Sequence, residues 1–193
     1  MKQNLRIAVL MVLVTTILFG LIYPLVVTGL GQVLFPAQAN GGLLVQNGKI
    51  VGSHLIGQPF SSDRYFHARP SAAGTGYDPV FSGGGASNLG PTNRQLLDRV
   101  KDDIAKLRQE NPSVPIPVEL VTTSGSGLDP DISPAAAEFQ ISRIARARHQ
   151  SEKELRALVY KHTLTRQLGV LGEPRINVLE LNLDLDAQYP ASR

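Results

Sequence analysis

From Ile7 to Leu30 the chain carries no charge: IAVLMVLVTTILFGLIYPLVVTGL is apolar almost throughout. At about 1.5 Å per residue such a run reaches roughly 36 Å as a helix, against about 30 Å of bilayer hydrocarbon. It predicts a transmembrane helix over residues 7–30. Pro24 withholds a backbone N–H and predicts a kink, and Gly20, one turn earlier, leaves room for a neighbouring helix. Beyond the span the pattern shortens. In GGLLVQNGKIVGSHLIG, residues 41–57, two apolar runs flank Asn47-Gly48, the signature of a hairpin with a type I′ turn. Residues 59–91 keep no period and are rich in Gly, Pro and Ser, yet they hold Phe60, Tyr65, Phe66, Tyr77 and Phe81. Aromatics threaded through an irregular stretch predict a loop that packs on something.

Leu96, Leu97, Val100, Ile104 and Leu107 recur at helical spacing, and Asn111-Pro112 ends that helix. VPIPVELVTTS predicts a strand, and GSGLDPDISP a second glycine loop. Ser133 as N-cap and Pro134 as first residue start a helix that runs to about Arg148. Ser151 and Glu154 form a capping box for a third helix, closed by Gly169. In the tail, EPRINVLELNLDLD alternates: Leu179, Leu181, Leu183 and Leu185 face one way, Glu180, Asn182 and Asp184 the other. That pattern predicts a strand with one wet face. The fold class expected is α+β: one N-terminal transmembrane helix, then a small mixed α/β extracytoplasmic domain.

Charge adds orientation. The net charge is +3, and Lys2 and Arg6 are the only charged residues before Lys49. Positive flanks stay on the cytoplasmic side. Residues 1–6 are therefore expected in the cytoplasm, 7–30 in the membrane, and 31–193 outside it, in the periplasm or its equivalent. Without the two leading cations the remainder is nearly neutral, which argues against a nucleic-acid surface. A cleaved signal peptide ending at Ala37-Gln38-Ala39 is the alternative, but the apolar run is long for one. Cysteine is absent, which excludes disulfides, zinc thiolates and thiol catalysis.

Candidate chemistry is sparse. Gly42, Gly48 and Lys49 nearly match a phosphate-binding loop, but the spacing is one residue too long and Ile50 stands where Ser or Thr would hold magnesium. SGGGASNLGPTNRQL, residues 82–96, could cradle an anion at a helix start, yet it lacks the lysine of such loops and reads better as turns. The four histidines, His54, His67, His149 and His162, are scattered and read as structural rather than metal ligands. Asp129 and Asp131 could serve as an acid–base pair, and a membrane-anchored periplasmic hydrolase could use either Ser126 or that pair, but Asx-type turn chemistry explains both carboxylates. A secreted binding protein is a third reading. Arg143, Arg146 and Arg148 read as a solvated basic face. The D-K-T-G motif of P-type ATPases is missing, so this chain does not hydrolyse ATP by that route.

Several stretches in collinear order carry a resemblance. They are YPLVVTGLGQVLFPAQANGGL, GQPFSSDRYFHARPSAAGTGYDP, SGGGASNLGPTN, IPVELVTTSGSGLDPDISPAAAEFQISRIARAR and VLELNLDLD. Together they resemble the C subunit of the Kdp potassium-transporting ATPase, over nearly the whole chain. The resemblance implies a non-catalytic subunit of a complex, needed for its assembly and activity. The implied partners are a channel-like potassium-binding subunit and a P-type ATPase subunit, and potassium is the transported ion. It implies no cofactor bound by this chain alone. It also implies a possible ATP contact within the complex through Gln140, by which the chain raises the ATPase subunit's affinity for ATP. The charge argument places the domain away from cytosolic ATP, so the expectation from topology is a cap and brace at the potassium entrance.

Overall fold

The computed structural model describes residues 1–78, 80 and 85–190. Phe81 and the Ser82–Gly84 part of the glycine run lie outside the described residues. By its internal contacts the chain divides into two units, Met1–Val51 and Gly52–Arg193.

In the first unit the apolar run is helical from Lys2 to Leu34, 33 residues with a mean hydropathy of 2.5 in its most apolar window. Helix α1 covers Lys2–Thr15 and α2 covers Tyr23–Leu34, joined by a π-helical stretch, Thr16–Ile22. Pro24 therefore does not break the span. It sits in the first turn of α2, where its missing N–H is tolerated, and the irregularity is displaced to the residues before it. A short helix α3, Pro36–Ala39, follows. Strands β1, Leu43–Gln46, and β2, Lys49–Ser53, then pair. Asn47 and Gly48 both take positive φ, 52° and 75°, which is the I′ turn expected from that dipeptide.

The second unit is built around helix α5, Pro134–Arg148, which buries residues on most of its circumference. Ser133 caps it, its hydroxyl accepting from the Ala136 N–H at 3.2 Å. His149 closes it in the left-handed conformation, φ 55°. Helix α6, Glu152–Lys161, is capped by Ser151, which accepts from the Lys153 N–H at 3.2 Å. It ends at Lys161, not near Gly169: residues 162–175 leave the helix and double back, with bridges Leu164–Arg175 and Gln167–Leu171. Leu168 and Gly169 turn that hairpin with positive φ. Helix α4, Arg94–Glu110, begins at the cap Asn93 and ends at Asn111, close to expectation. It lies on the outside; none of its residues is fully buried, and Leu107 touches the core.

Two expected strands are absent. Val118–Leu120 forms a single 3₁₀ turn, and the residues before it hold three prolines among 112–117, too many for a central strand. The C-terminal leucines form helix α7, Val178–Gln188, not a strand. Only Ile176–Asn177, strand β4, is extended, and it pairs antiparallel with Asp131–Ile132, strand β3. The physical reason lies in which residues are buried: Val178, Leu181, Asn182 and Leu185 make a stripe at helical spacing. The alternation of leucines concealed it, because the stripe contains a polar residue that an alternating reading assigns to water. Asn177 caps α7 by accepting from the Glu180 N–H at 3.1 Å. The core joins Phe139, Ile141 and Ile144 of α5 to Leu155 and Leu158 of α6, Ile132 and Ile176 of the small sheet, Leu181 and Leu185 of α7, and Phe66 from the irregular loop.

Candidate functional site

Phe66 is fully buried although no strand or helix contains it. Its neighbours Asp63–His67 start in a turn, where the Tyr65 N–H donates to the Ser62 carbonyl at 3.1 Å, and run on with no strand beside them, so their remaining main-chain groups need other partners. Those partners are side chains of α5 and α7. Arg143 donates from Nη1 to the carbonyls of Asp63, at 2.6 Å, and Tyr65, at 3.0 Å. Arg148 Nε donates to the Arg64 carbonyl at 2.6 Å. Asn182 Nδ2 donates to the Phe66 carbonyl at 2.9 Å, and the Phe66 N–H returns a bond to its Oδ1 at 2.9 Å. Gln140 repeats the arrangement one residue on: its Nε2 donates to the His67 carbonyl at 3.0 Å and its Oε1 accepts from the His67 N–H at 2.7 Å. Five consecutive carbonyls are thus held by four side chains. The two amides act as detached pieces of β-ladder.

The cations of this clasp are themselves anchored. Arg143 Nε donates to Glu110 Oε1 at 2.9 Å, and Nη2 to Gln140 Oε1 at 2.8 Å. Arg148 reaches the Tyr189 carbonyl at 2.9 Å and Asp186 Oδ1 at 2.7 Å, and its guanidinium lies 4.8 Å from the Tyr65 ring centroid. Tyr65 in turn donates its hydroxyl to Asp186 Oδ2 at 2.9 Å. The expected solvated basic face is corrected here: Arg143 and Arg148 are each only 7% exposed, and of the three arginines only Arg146 faces water. Guanidinium groups can be buried because they carry five donors, which bare carbonyls and carboxylates can use up.

Gln140, the expected nucleotide contact, is 2% exposed. Its Oε1 accepts two bonds and its Nε2 donates two, the second to the Ala136 carbonyl at 3.2 Å. That is the full capacity of an amide side chain. In this structure Gln140 has no atom left for a ligand, and a nucleotide could reach it only if the clasp opened.

Burial, reinforced by the Arg143 charge, holds the His67 ring below the ordinary histidine value. The folded protein therefore takes up that proton less readily than the unfolded chain. Its contribution to stability is complete above about pH 6.5 and is lost as the pH falls below that value. Thermal melting of the full chain in detergent should show a loss of Tm on acidification that is smaller in His67→Gln.

The carboxylates Asp129 and Asp131 are separately engaged. Asp129 pairs with Arg69 at 3.1 Å and accepts from the Asp131 N–H at 3.1 Å, an Asx turn as expected. Asp131 pairs with Arg175 at 3.0 Å, while burial pushes its carboxyl above the usual range. They line an open cavity of about 370 Å³ with Glu119 and Glu173. Ser126 Oγ accepts from the Leu128 N–H at 3.1 Å and lies 3.5 Å from Ser124 Oγ. Neither carboxylate nor any histidine is recorded within hydrogen-bond reach of Ser126 among the described residues, so the hydrolase constellation is not assembled. Nor do the described residues hold a group of three His, Asp or Glu side chains placed for a metal.

The glycine loops answer to packing. Gly127 has φ 67°, and a Cβ on it would strike Gly85; a Cβ on Gly85 would overlap the Ser126 carbonyl. The described end of the first glycine run and the second glycine loop thus lie backbone against backbone. This is a reason for glycine that needs no phosphate.

Sequence reasoning found Gln140 by resemblance alone and passed over Arg143, Arg148 and Asn182 as solvent-facing. A signal existed: the aromatic-rich DRYFHARP stretch demanded a buried surface, and a loop buried there must find polar partners.

Comparison with known proteins places the chain among others. A family model described as "K+-transporting ATPase, c chain" matches residues 5–187. A protein of Koribacter versatilis named "Potassium-transporting ATPase KdpC subunit" is 59% identical over 98% of this chain and 97% of its own length. Proteins of the same name from Rhodopseudomonas palustris strain BisB18 and Caulobacter vibrioides strain NA1000 are each 55% identical. The alignments cover 97% and 98% of this chain, and 99% and 96% of theirs.

Proposed function

The chain belongs to the c-chain family of the potassium-transporting ATPases, and from that premise we propose that it is a non-catalytic, single-span accessory subunit whose folded region stands outside the membrane. There it braces the potassium-binding subunit and caps the ion entrance, next to the ATP-hydrolysing subunit of the same complex.

The observation that carries this reading is the clasp. Among the described residues of the second unit, the buried polar side chains Gln140, Arg143, Arg148 and Asn182 are spent on holding its own backbone, which suits a rigid binding body. Gln140 has no free hydrogen-bonding atom, and the carboxylates of the hydrolase reading are neutralised by Arg69 and Arg175. Potassium selectivity needs rings of oxygen ligands in a pore, and one helix with a small outer domain does not make a pore. The leading cations Lys2 and Arg6 support an inside N-terminus.

The test is protease digestion of sealed membrane vesicles of known orientation, with the complex intact. Digestion of residues 52–193 from the outer face alone is expected. Digestion from the cytoplasmic face alone would overturn the entrance cap and return ATP to consideration.

A further inference from the structure

The π-helical stretch of the span has a chemical consequence. The Tyr23 N–H donates to the Leu18 carbonyl, an i→i+5 bond. From Tyr23 onward the chain is α-helical, so Val26 N–H belongs to Ile22. Between these two bonds lie three carbonyls, those of Phe19, Gly20 and Leu21. Two residues could serve them, and one is Pro24, which has no N–H. Leu25 is the remaining donor. The backbone of this turn is therefore short of N–H groups.

The position makes the shortage costly. The apolar run Ile7–Leu30 has its midpoint between Leu18 and Phe19. This is the middle of the hydrocarbon, where neither water nor lipid tails offer a donor. The span's own hydroxyls do not help. A Ser or Thr on a helix bonds backwards by three or four residues, as Thr15 does to Met11 at 2.8 Å and Val12 at 3.2 Å. To reach Phe19 or Gly20 it would have to stand at 22–24, where Ile22, Tyr23 and Pro24 stand. Beside the unserved carbonyls, Gly20 carries no side chain, and a Cβ built there meets only the Thr16 methyl at 3.7 Å. Another helix can approach the backbone here.

Resting on the accessory-subunit reading above, we propose that a membrane helix of another subunit packs on Gly20 and presents a side-chain hydrogen-bond donor to the Phe19–Gly20 carbonyls at the bilayer midplane. The donor is a hydroxyl or carboxamide, since a charged group at that depth is costly. Lipid cannot take this place, because it lacks the donor; a second helix supplies both the donor and the close fit.

The full complex, affinity-purified through its ATPase subunit, provides the test, with the amount of this chain retained as the readout. Wild type should be retained, and failure at that step overturns the accessory-subunit reading itself. Gly20→Leu should lose about tenfold or more, because bulk holds the donor away. Pro24→Ala restores an N–H to the turn, lets the helix recapture its own carbonyl, and should lose severalfold. Ala8→Leu adds similar bulk far along the span and should be retained like wild type. Full retention of Gly20→Leu, or equal loss in Ala8→Leu, would overturn the packing site. Loss in Gly20→Leu with full retention of Pro24→Ala would overturn the donor and leave packing alone.

Discussion

Gln140→Leu should destabilise the full chain by about 3–5 kcal/mol, the sum expected for two or three buried polar groups left without partners. Leucine nearly conserves the volume but has no polar atom. The N–H and carbonyl of His67 lose their bonds, and Arg143 loses the acceptor for Nη2. These groups cannot turn to water, since the position is 2% exposed. For a folded region of this size the Tm, followed in detergent, should fall by about 10 °C. The same variant separates two roles for the residue. A clasp residue moves the melting temperature. A nucleotide contact would leave melting unchanged and shift the ATP dependence of the assembled pump, and that outcome would restore the reading implied by family resemblance.

Arg148→Met should cost about as much, about 3–5 kcal/mol, because removing one partner of a buried ion pair strands what it held. Methionine fills much of the arginine stem's space, so packing loss is small. What goes is one cation that joins three segments: the Arg64 carbonyl in the loop, the Tyr189 carbonyl past α7, and the Asp186 carboxylate on α7. Asp186 keeps only the Tyr65 hydroxyl, and Tyr65 loses the guanidinium over its ring. Limited proteolysis should then cut first within residues 59–78, while α5 and α6 stay resistant. If proteolysis and melting match wild type, Arg148 is a surface residue in solution and the clasp is wrong at that point. Because Arg148 and Gln140 hold the same segment, Asp63–His67, their effects should be less than additive: once either is lost, the other has less ordered backbone to hold.

Both expectations rest on an unusual division of labour. In most folds a buried segment satisfies its backbone in a helix or a sheet. Here Asp63–His67 is held by side chains from helices, so the loop's position is specified by residue identity rather than by a repeating ladder. Such a loop is fixed without being regular, which suits a surface that must keep its shape against a partner.

Local rules made much of this legible from the chain. The span, the Asn47-Gly48 turn, the start of α5 at Ser133-Pro134 and the cap at Ser151 each depend on a few neighbouring residues. Apolar length, positive φ and a side-chain oxygen placed for a free N–H act over a few residues, and the structure agrees at each. Family resemblance, too, was readable in the order of the motifs. The π-helical stretch was half legible: Pro24 announced an irregularity but not that the helix would absorb it ahead of the proline.

Tertiary structure decided the rest, because burial is set by what lies across the core. The tail's leucines alternate, and alternation alone predicts a strand; the stripe Val178, Leu181, Asn182 and Leu185 became the inner face only because Phe66 arrived opposite, needing an amide. Arg143 and Arg148 look like a wet face until the carbonyls of a distant loop, some 80 residues earlier, come to meet them. The residues alone determined an apolar N-terminal helix long enough to cross a membrane and where most helices begin. Which polar side chains lie inside, and which loop they hold, was determined only when the distant segments packed, since a buried polar group is stable solely beside the partner that completes it.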